Sequence, residues 1–206
     1  MSGDLILLWL ILLPLMGGYV SCALGAFLRS RDPKASEMIE KIGLAVTLAA
    51  VFALTMSTAL GEVGGRTYSL TIPKLCGMGI YLITDGFRAV YAAVTAFAWL
   101  TSTLFFFWYG AGEKHGTRYY VFTMITLSCT LGVFLAADLF TLFVFFEGMS
   151  LASYVWVAQE QTAKAIQASK TYLAVSVIGG LALLTGILLL WHATGTLQID
   201  GSWWYC

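Results

Sequence analysis

Six long, nearly uninterrupted apolar runs constrain this chain more than any other feature. They extend over Leu5–Leu28, Ile42–Leu60, Gly86–Trp108, Tyr119–Ala137, Leu139–Ala158 and Ala168–Trp191. A hydrocarbon core takes about 20 apolar residues to span as helix. Strands of a membrane barrel need only about ten, and an open strand leaves its backbone unsatisfied in lipid. The runs therefore predict an all-α membrane protein with six transmembrane helices in a single transmembrane domain, residues 1–206. Composition agrees: of 206 residues only 11% are charged, and mean hydropathy is +0.84. That leaves too little polar surface for a water-soluble domain. Eleven basic residues balance eleven acidic ones, so charge points to no nucleic acid partner.

The first run is preceded by an acidic MSGD and exceeds the core of a signal peptide, so it reads as a retained helix. With the first residue outside, the links after helices one, three and five hold Arg29, Arg31, Lys34, Lys41, Lys114, Arg118, Lys164 and Lys170. The opposite links hold only Arg66 and Lys74. This bias places both termini on the outer face. The link 61–84 is too broken by Gly65, Pro73 and Gly77 to span, and its alternating SLTIPKL suggests an outer-face hairpin. Cys22, Cys76, Cys129 and Cys206 show no paired spacing and read as small packing residues rather than metal ligands or disulfides. Neither His115 nor His192 has a second ligand at metal spacing, and no cofactor motif is present.

The informative segment runs from Asp138 to Gln159. Glu147 lies nine residues after Asp138, about 13 Å along a helix, which puts a carboxyl near mid-membrane among apolar neighbours. An ionisable group there costs about 3 kcal/mol on insertion scales and is expected to face the bundle interior. Desolvation favours the neutral form of a carboxyl and a nearby cation favours the charged form, the two levers a proton relay requires. The alternative is a neutral Glu147 that only bonds helices together. Gly148, Ser150 and Ser153 around it permit close packing. Lys170 opens helix six, either as an interfacial anchor or in a charge path, about 10 Å from Glu147 in depth. Asp85 and Arg88 begin helix three, three apart, and read as an interfacial cap and ion pair or as contacts of a transport path. Only Ala137 and Asp138 separate helices four and five, which makes these helices antiparallel neighbours with Asp138 placed to cap helix five.

The succession TDGFRAVYA, DLFTLFVFFEGMSLASYVWVA, KAIQASKTYLAVSVIGG and HATGTLQI resembles the antiporter-like membrane subunits of respiratory complex I, multisubunit sodium/proton antiporters and membrane-bound hydrogenases. The resemblance runs from about Leu5 to Ile199. It implies that Glu147 is the proton-relay acid and that Lys170 matches the lysine opening helix six. Asp85 matches the family's acidic start of helix three. Arg88 stands where a small polar residue is more usual, and Ala152 where many members have proline. Family members reach about fourteen helices built on an inverted repeat, so the chain corresponds to the first six.

The resulting expectation is a proton- or cation-translocating membrane subunit, or the amino-terminal half of one, in a complex I-related complex. It would be a multi-pass protein of the cell or energy-converting inner membrane. It would have other membrane subunits as partners, including a chain that supplies the later helices, and no cofactor of its own. The other readings are a non-conducting structural or assembly subunit and, third, a self-contained six-helix transporter or membrane enzyme.

Overall fold

The computed structural model describes residues 3–73, 78–109 and 116–199. Lys74, Cys76, Lys114, His115 and Cys206 lie outside them. Six helices follow in chain order: α1 (Gly3–Leu28), α2 (Pro33–Val63), α3 (Gly86–Tyr109), α4 (Gly116–Leu135), α5 (Leu139–Val157) and α6 (Ala163–Thr194). Each is long and apolar enough to cross a membrane. Strands β1 (Ser69–Ile72) and β2 (Ile80–Ile83) lie between α2 and α3.

Two helices, α2 and α6, begin five or more residues earlier than their apolar runs. Asp32 accepts from the backbone N–H groups of Lys34 and Ala35 at 3.0 and 3.2 Å, and Pro33 occupies the first turn, where its missing N–H costs nothing. The helix thus starts at Pro33 rather than Ile42, and Lys34 and Lys41 stand on it instead of in a link. Thr162 caps α6 in the same manner, accepting from Ala165 at 3.1 Å, so Lys164 lies in the first helical turn. At the far end of α6, Gly195 takes a left-handed φ of 72° that ends the helix.

The core sits between α1, α2, α3 and α4. Leu7 and Leu10 of α1, Leu44, Leu48 and Val51 of α2, and Leu127, Leu131 and Leu135 of α4 are fully buried. Ala92 and Ala96 bring α3 against this group, since a methyl side chain lets backbones approach. Helix α5 packs along α4 on one side and α6 on the other. Only three α6 residues are buried, Ser169, Gly180 and Ile187. Their spacing of 11 and 7 returns to the same side of a helix, so α6 touches the bundle along one narrow line. Val175, Ile178, Leu181 and Leu189 on its other faces are exposed, as lipid-facing residues are.

A backbone seam closes one end of the bundle. Strands β1 and β2 pair antiparallel, Ser69 opposite Ile83 and Ile72 opposite Ile80. The Ala137 N–H donates to Tyr81 at 2.8 Å, which adds the α4–α5 link to the hairpin. The segment after α6 pairs with that link in turn, through Leu139 N–H to Leu197 O and Ile199 N–H to Ala137 O, both 2.9 Å. The Thr84 hydroxyl donates to Glu62 at 2.5 Å and accepts from the Tyr68 N–H, tying the hairpin to the end of α2.

Candidate functional site

Helix α5 carries the site because its position is held from both sides. Asp138 caps its start, extended in backbone conformation, with its side chain accepting from the Thr141 N–H. On the α4 side, the ring of Phe145 lies on Gly132, and Cys129 Sγ sits 3.0 Å from where a Cβ of Gly148 would be. Both glycines are positions where a methyl group would meet the neighbouring helix. Rotation and axial shift of α5 are therefore restricted on either side of residue 147.

Glu147 is the ninth of the nineteen α5 residues. It faces α6 rather than α4, and its carboxyl lies over Gly180. Oε1 is buried and accepts no hydrogen bond. An oxygen so placed is costly as a charged group unless a donor, water or cation reaches it. Of the neighbouring hydroxyls, Ser150 is buried, whereas Ser153 donates to its own helix at Met149 O, 2.8 Å.

The structure does not bring Lys170 to Glu147. Lys170 is exposed and ten residues from Gly180, about 15 Å along α6. It also follows Ser169 directly, which turns it about 100° off the buried line. Among the described residues it forms no ion pair. Asp85 and Arg88 do meet: the Arg88 guanidinium pairs with Asp85 Oδ2, and Asp85 Oδ1 accepts from the Arg88 N–H at 2.8 Å, so the acid stands at the start of α3. Arg88 lines a cavity of about 280 Å³ with Ser69, Thr71, Tyr81 and Gln198 at the hairpin end, away from Glu147. His192 lies in the last turn of α6. Among the described residues no three His, Cys, Asp or Glu side chains gather as a metal site.

One buried acid, on α2, escaped the sequence reading. Glu40 is 2% exposed and joins three helices. It accepts from the Thr117 hydroxyl of α4 at 3.0 and 3.2 Å and from the Arg29 guanidinium at 3.4 Å, and its side chain lies on Gly25 of α1. The signal was the Asp32–Pro33 cap. A helix started there puts Ser36, Glu40, Leu44 and Leu48 four apart on one face. A hydropathy window instead sees Lys34, Glu37, Glu40 and Lys41 and reports a link.

Comparison with known proteins supports the resemblance drawn from the sequence. The family described as NADH:quinone oxidoreductase/Mrp antiporter, transmembrane, matches residues 136–203, which hold α5, α6 and the segment after them. A Staphylococcus haemolyticus protein that carries the name antiporter subunit mnhD2 is 36% identical over 124 residues, covering 59% of this chain and 24% of that protein. A Na(+)/H(+) antiporter subunit of Alkalihalophilus pseudofirmus is 30% identical over 121 residues, with the same shares covered. The chain thus matches about a quarter of the length of these relatives. Among solved structures, a chain of the membrane-bound sulfane sulfur reductase, an archaeal respiratory membrane complex, superposes with a TM-score of 0.77 at 24% identity. It covers 94% of this chain and 38% of that one. A chain of the Mrp complex from Dietzia sp. gives 0.74 at 23% identity, covering 96% and 36%. At these identities the likeness concerns the fold: a six-helix arrangement that matches part of a larger antiporter-like subunit, in a multi-pass membrane protein.

Proposed function

We propose that the chain serves as the amino-terminal portion, or a half-length counterpart, of a proton- or cation-translocating membrane subunit in a complex related to the Mrp antiporters and complex I. Glu147 acts in it as the relay acid. The observation that carries this reading is the placement of the Glu147 carboxyl, halfway along α5 and against α6, with a buried oxygen that no donor among the described residues satisfies. A carboxyl used only to bond helices together would be expected to have found a donor or acceptor across the contact.

In this mechanism the Glu147 carboxylate takes a proton from water that enters from the end bearing Arg29, Arg118 and Lys164, which the charge bias assigns to the cytoplasm. It releases that proton when a cation on a neighbouring element approaches and favours the charged form. A redox arm or an opposing ion gradient on other subunits supplies the drive. Lys170, at its depth and orientation, anchors the cytoplasmic boundary and acts on Glu147 only through intervening water. Further membrane helices, which the resemblance implies, would pack on the apolar exposed faces of α6. Relatives about four times longer than the matched stretch support reading the chain as a portion of such a subunit.

The test is Glu147→Gln in membrane vesicles containing the assembled complex, with proton movement followed by a pH-sensitive dye. Loss of coupled transport with normal assembly is the expected result. Unchanged transport removes Glu147 from the mechanism and leaves the non-conducting structural subunit as the better reading.

A further inference from the structure

We propose that Gly180 is the positioning residue for Glu147: by lacking a side chain, it lets the α6 backbone cover the carboxyl and fix which side of α5 that carboxyl occupies. The proposal rests on the reading of Glu147 as the relay acid, but the contact itself is measured independently of transport.

A Cβ placed on Gly180 would overlap Oε1 and would lie 2.6 Å from Cδ and 2.8 Å from Oε2. All three atoms of the carboxyl are thus in the space a methyl would take. The neighbouring glycine provides the contrast. A Cβ on Gly179 meets nothing within 4 Å, and neither does one on Gly186 about two turns further on. Of these three α6 glycines, one is occupied by a neighbour, and the neighbour is the acid. Gly180 also lies on the buried line of α6 with Ser169 and Ile187, so the helix cannot rotate away from the contact without exposing the rest of that line.

The consequence for the acid is directional. With α6 laid across it, Oε1 is buried without a hydrogen bond, so a proton reaches that oxygen past the α5–α6 seam, while the side chain as a whole is half-buried. A methyl at position 180 displaces the carboxyl rather than the helix, because the clashing atoms are the end of a flexible side chain. The fold is therefore expected to survive while the acid is pushed out of its seat.

The experiment uses the full chain reconstituted in lipid nanodiscs. A hydrophobic carbodiimide labels accessible protonated carboxyls, and the yield at residue 147 is read by mass spectrometry. The infrared carboxyl band of Glu147 is assigned by its loss in E147Q. Gly180→Ala is expected to raise labelling at Glu147 several-fold and to move the infrared band, whereas Gly179→Ala leaves both as in the parent. Glu147→Asp supplies the second arm: its carboxyl is withdrawn by one methylene from position 180, so adding Gly180→Ala to it should change labelling far less than in the parent. A general loosening of α6 would raise labelling equally in both backgrounds and would overturn the proposal. So would identical labelling and band position for Gly180→Ala and Gly179→Ala. If E147Q is silent in transport while the Gly180 effect is present, the relay reading fails and the positioning contact stands.

Discussion

Removing the Glu40 carboxylate is expected to loosen the end of the bundle where α1, α2 and α4 meet, and the loss can be worked out from its partners. In Glu40→Ala the Thr117 hydroxyl loses a charged acceptor, and hydrogen bonds to charged groups contribute about 1.5–3 kcal/mol. The Arg29 guanidinium is 59% exposed and sits at 3.4 Å, so its share is that of a surface pair, at most about 1 kcal/mol. The Cγ methylene that alanine lacks adds packing on Gly25 but little transfer energy, because helices in lipid exchange one apolar surface for another. Glu40→Ala should therefore cost about 2 kcal/mol. Glu40→Gln keeps the shape and one acceptor and should cost about 1 kcal/mol. Reversible unfolding of the purified chain by sodium dodecyl sulfate in mixed micelles, read by tryptophan fluorescence, measures both. Thr117→Val supplies the coupling: if the bond is the source, its cost and that of Glu40→Ala should fall short of additivity by about 1 kcal/mol. Additive costs, or a Glu40→Ala protein as stable as its parent, would refute the assignment of this carboxylate as a three-helix tie.

Other substitutions probe the remaining contacts. Gly132→Ala drives a methyl into the Phe145 ring and should cost about 1–3 kcal/mol in the same unfolding assay, with Phe145→Ala relieving part of it. Asp138→Ala removes the cap on the Thr141 N–H and should cost about 1 kcal/mol, with faster hydrogen exchange in the first turn of α5. Thr84→Val breaks the bonds to Glu62 and the Tyr68 amide and should speed exchange at Tyr68 while leaving the mid-span of α5 protected. Lys170→Ala, about 15 Å from Gly180, should leave the infrared band of Glu147 where it is. A shifted band would show that charge at the helix entrance reaches the acid directly.

What hydropathy made legible was the number of spans and the place of Glu147 midway along α5, because both depend on length along the chain. The beginning of α2 was legible in Asp32 and Pro33, but four charged residues behind them outweighed the cap in any apolar average. Glu40 was lost with it. Which side of α5 the Glu147 carboxyl takes is a different kind of fact, set by how Phe145 and Gly148 seat against α4 and how closely Gly180 approaches. No periodicity in α5 alone reveals this, since the helix is apolar nearly all round. Alternation in SLTIPKL pointed to β1 at Ser69–Ile72, yet IYLI at Ile80–Ile83 does not alternate. Nor does the pairing of Leu197 and Ile199 with Leu139 and Ala137 leave any trace in composition.

That last pairing has a consequence for how the molecule tolerates change. Tyr81, Ala137, Leu139, Leu197 and Ile199 meet through main-chain atoms, which every residue type except proline supplies in full. The side chains of these five residues take no part in the bonding, so the pairing itself tolerates their exchange so long as proline is avoided, whereas Asp138 between them is held to its role as cap. Inserting or deleting a single residue between Ala136 and Leu139 would turn the bonded N–H and C=O groups on one side of the change away from their partners. Drift in composition is cheap at these five main-chain positions, and drift in length is not.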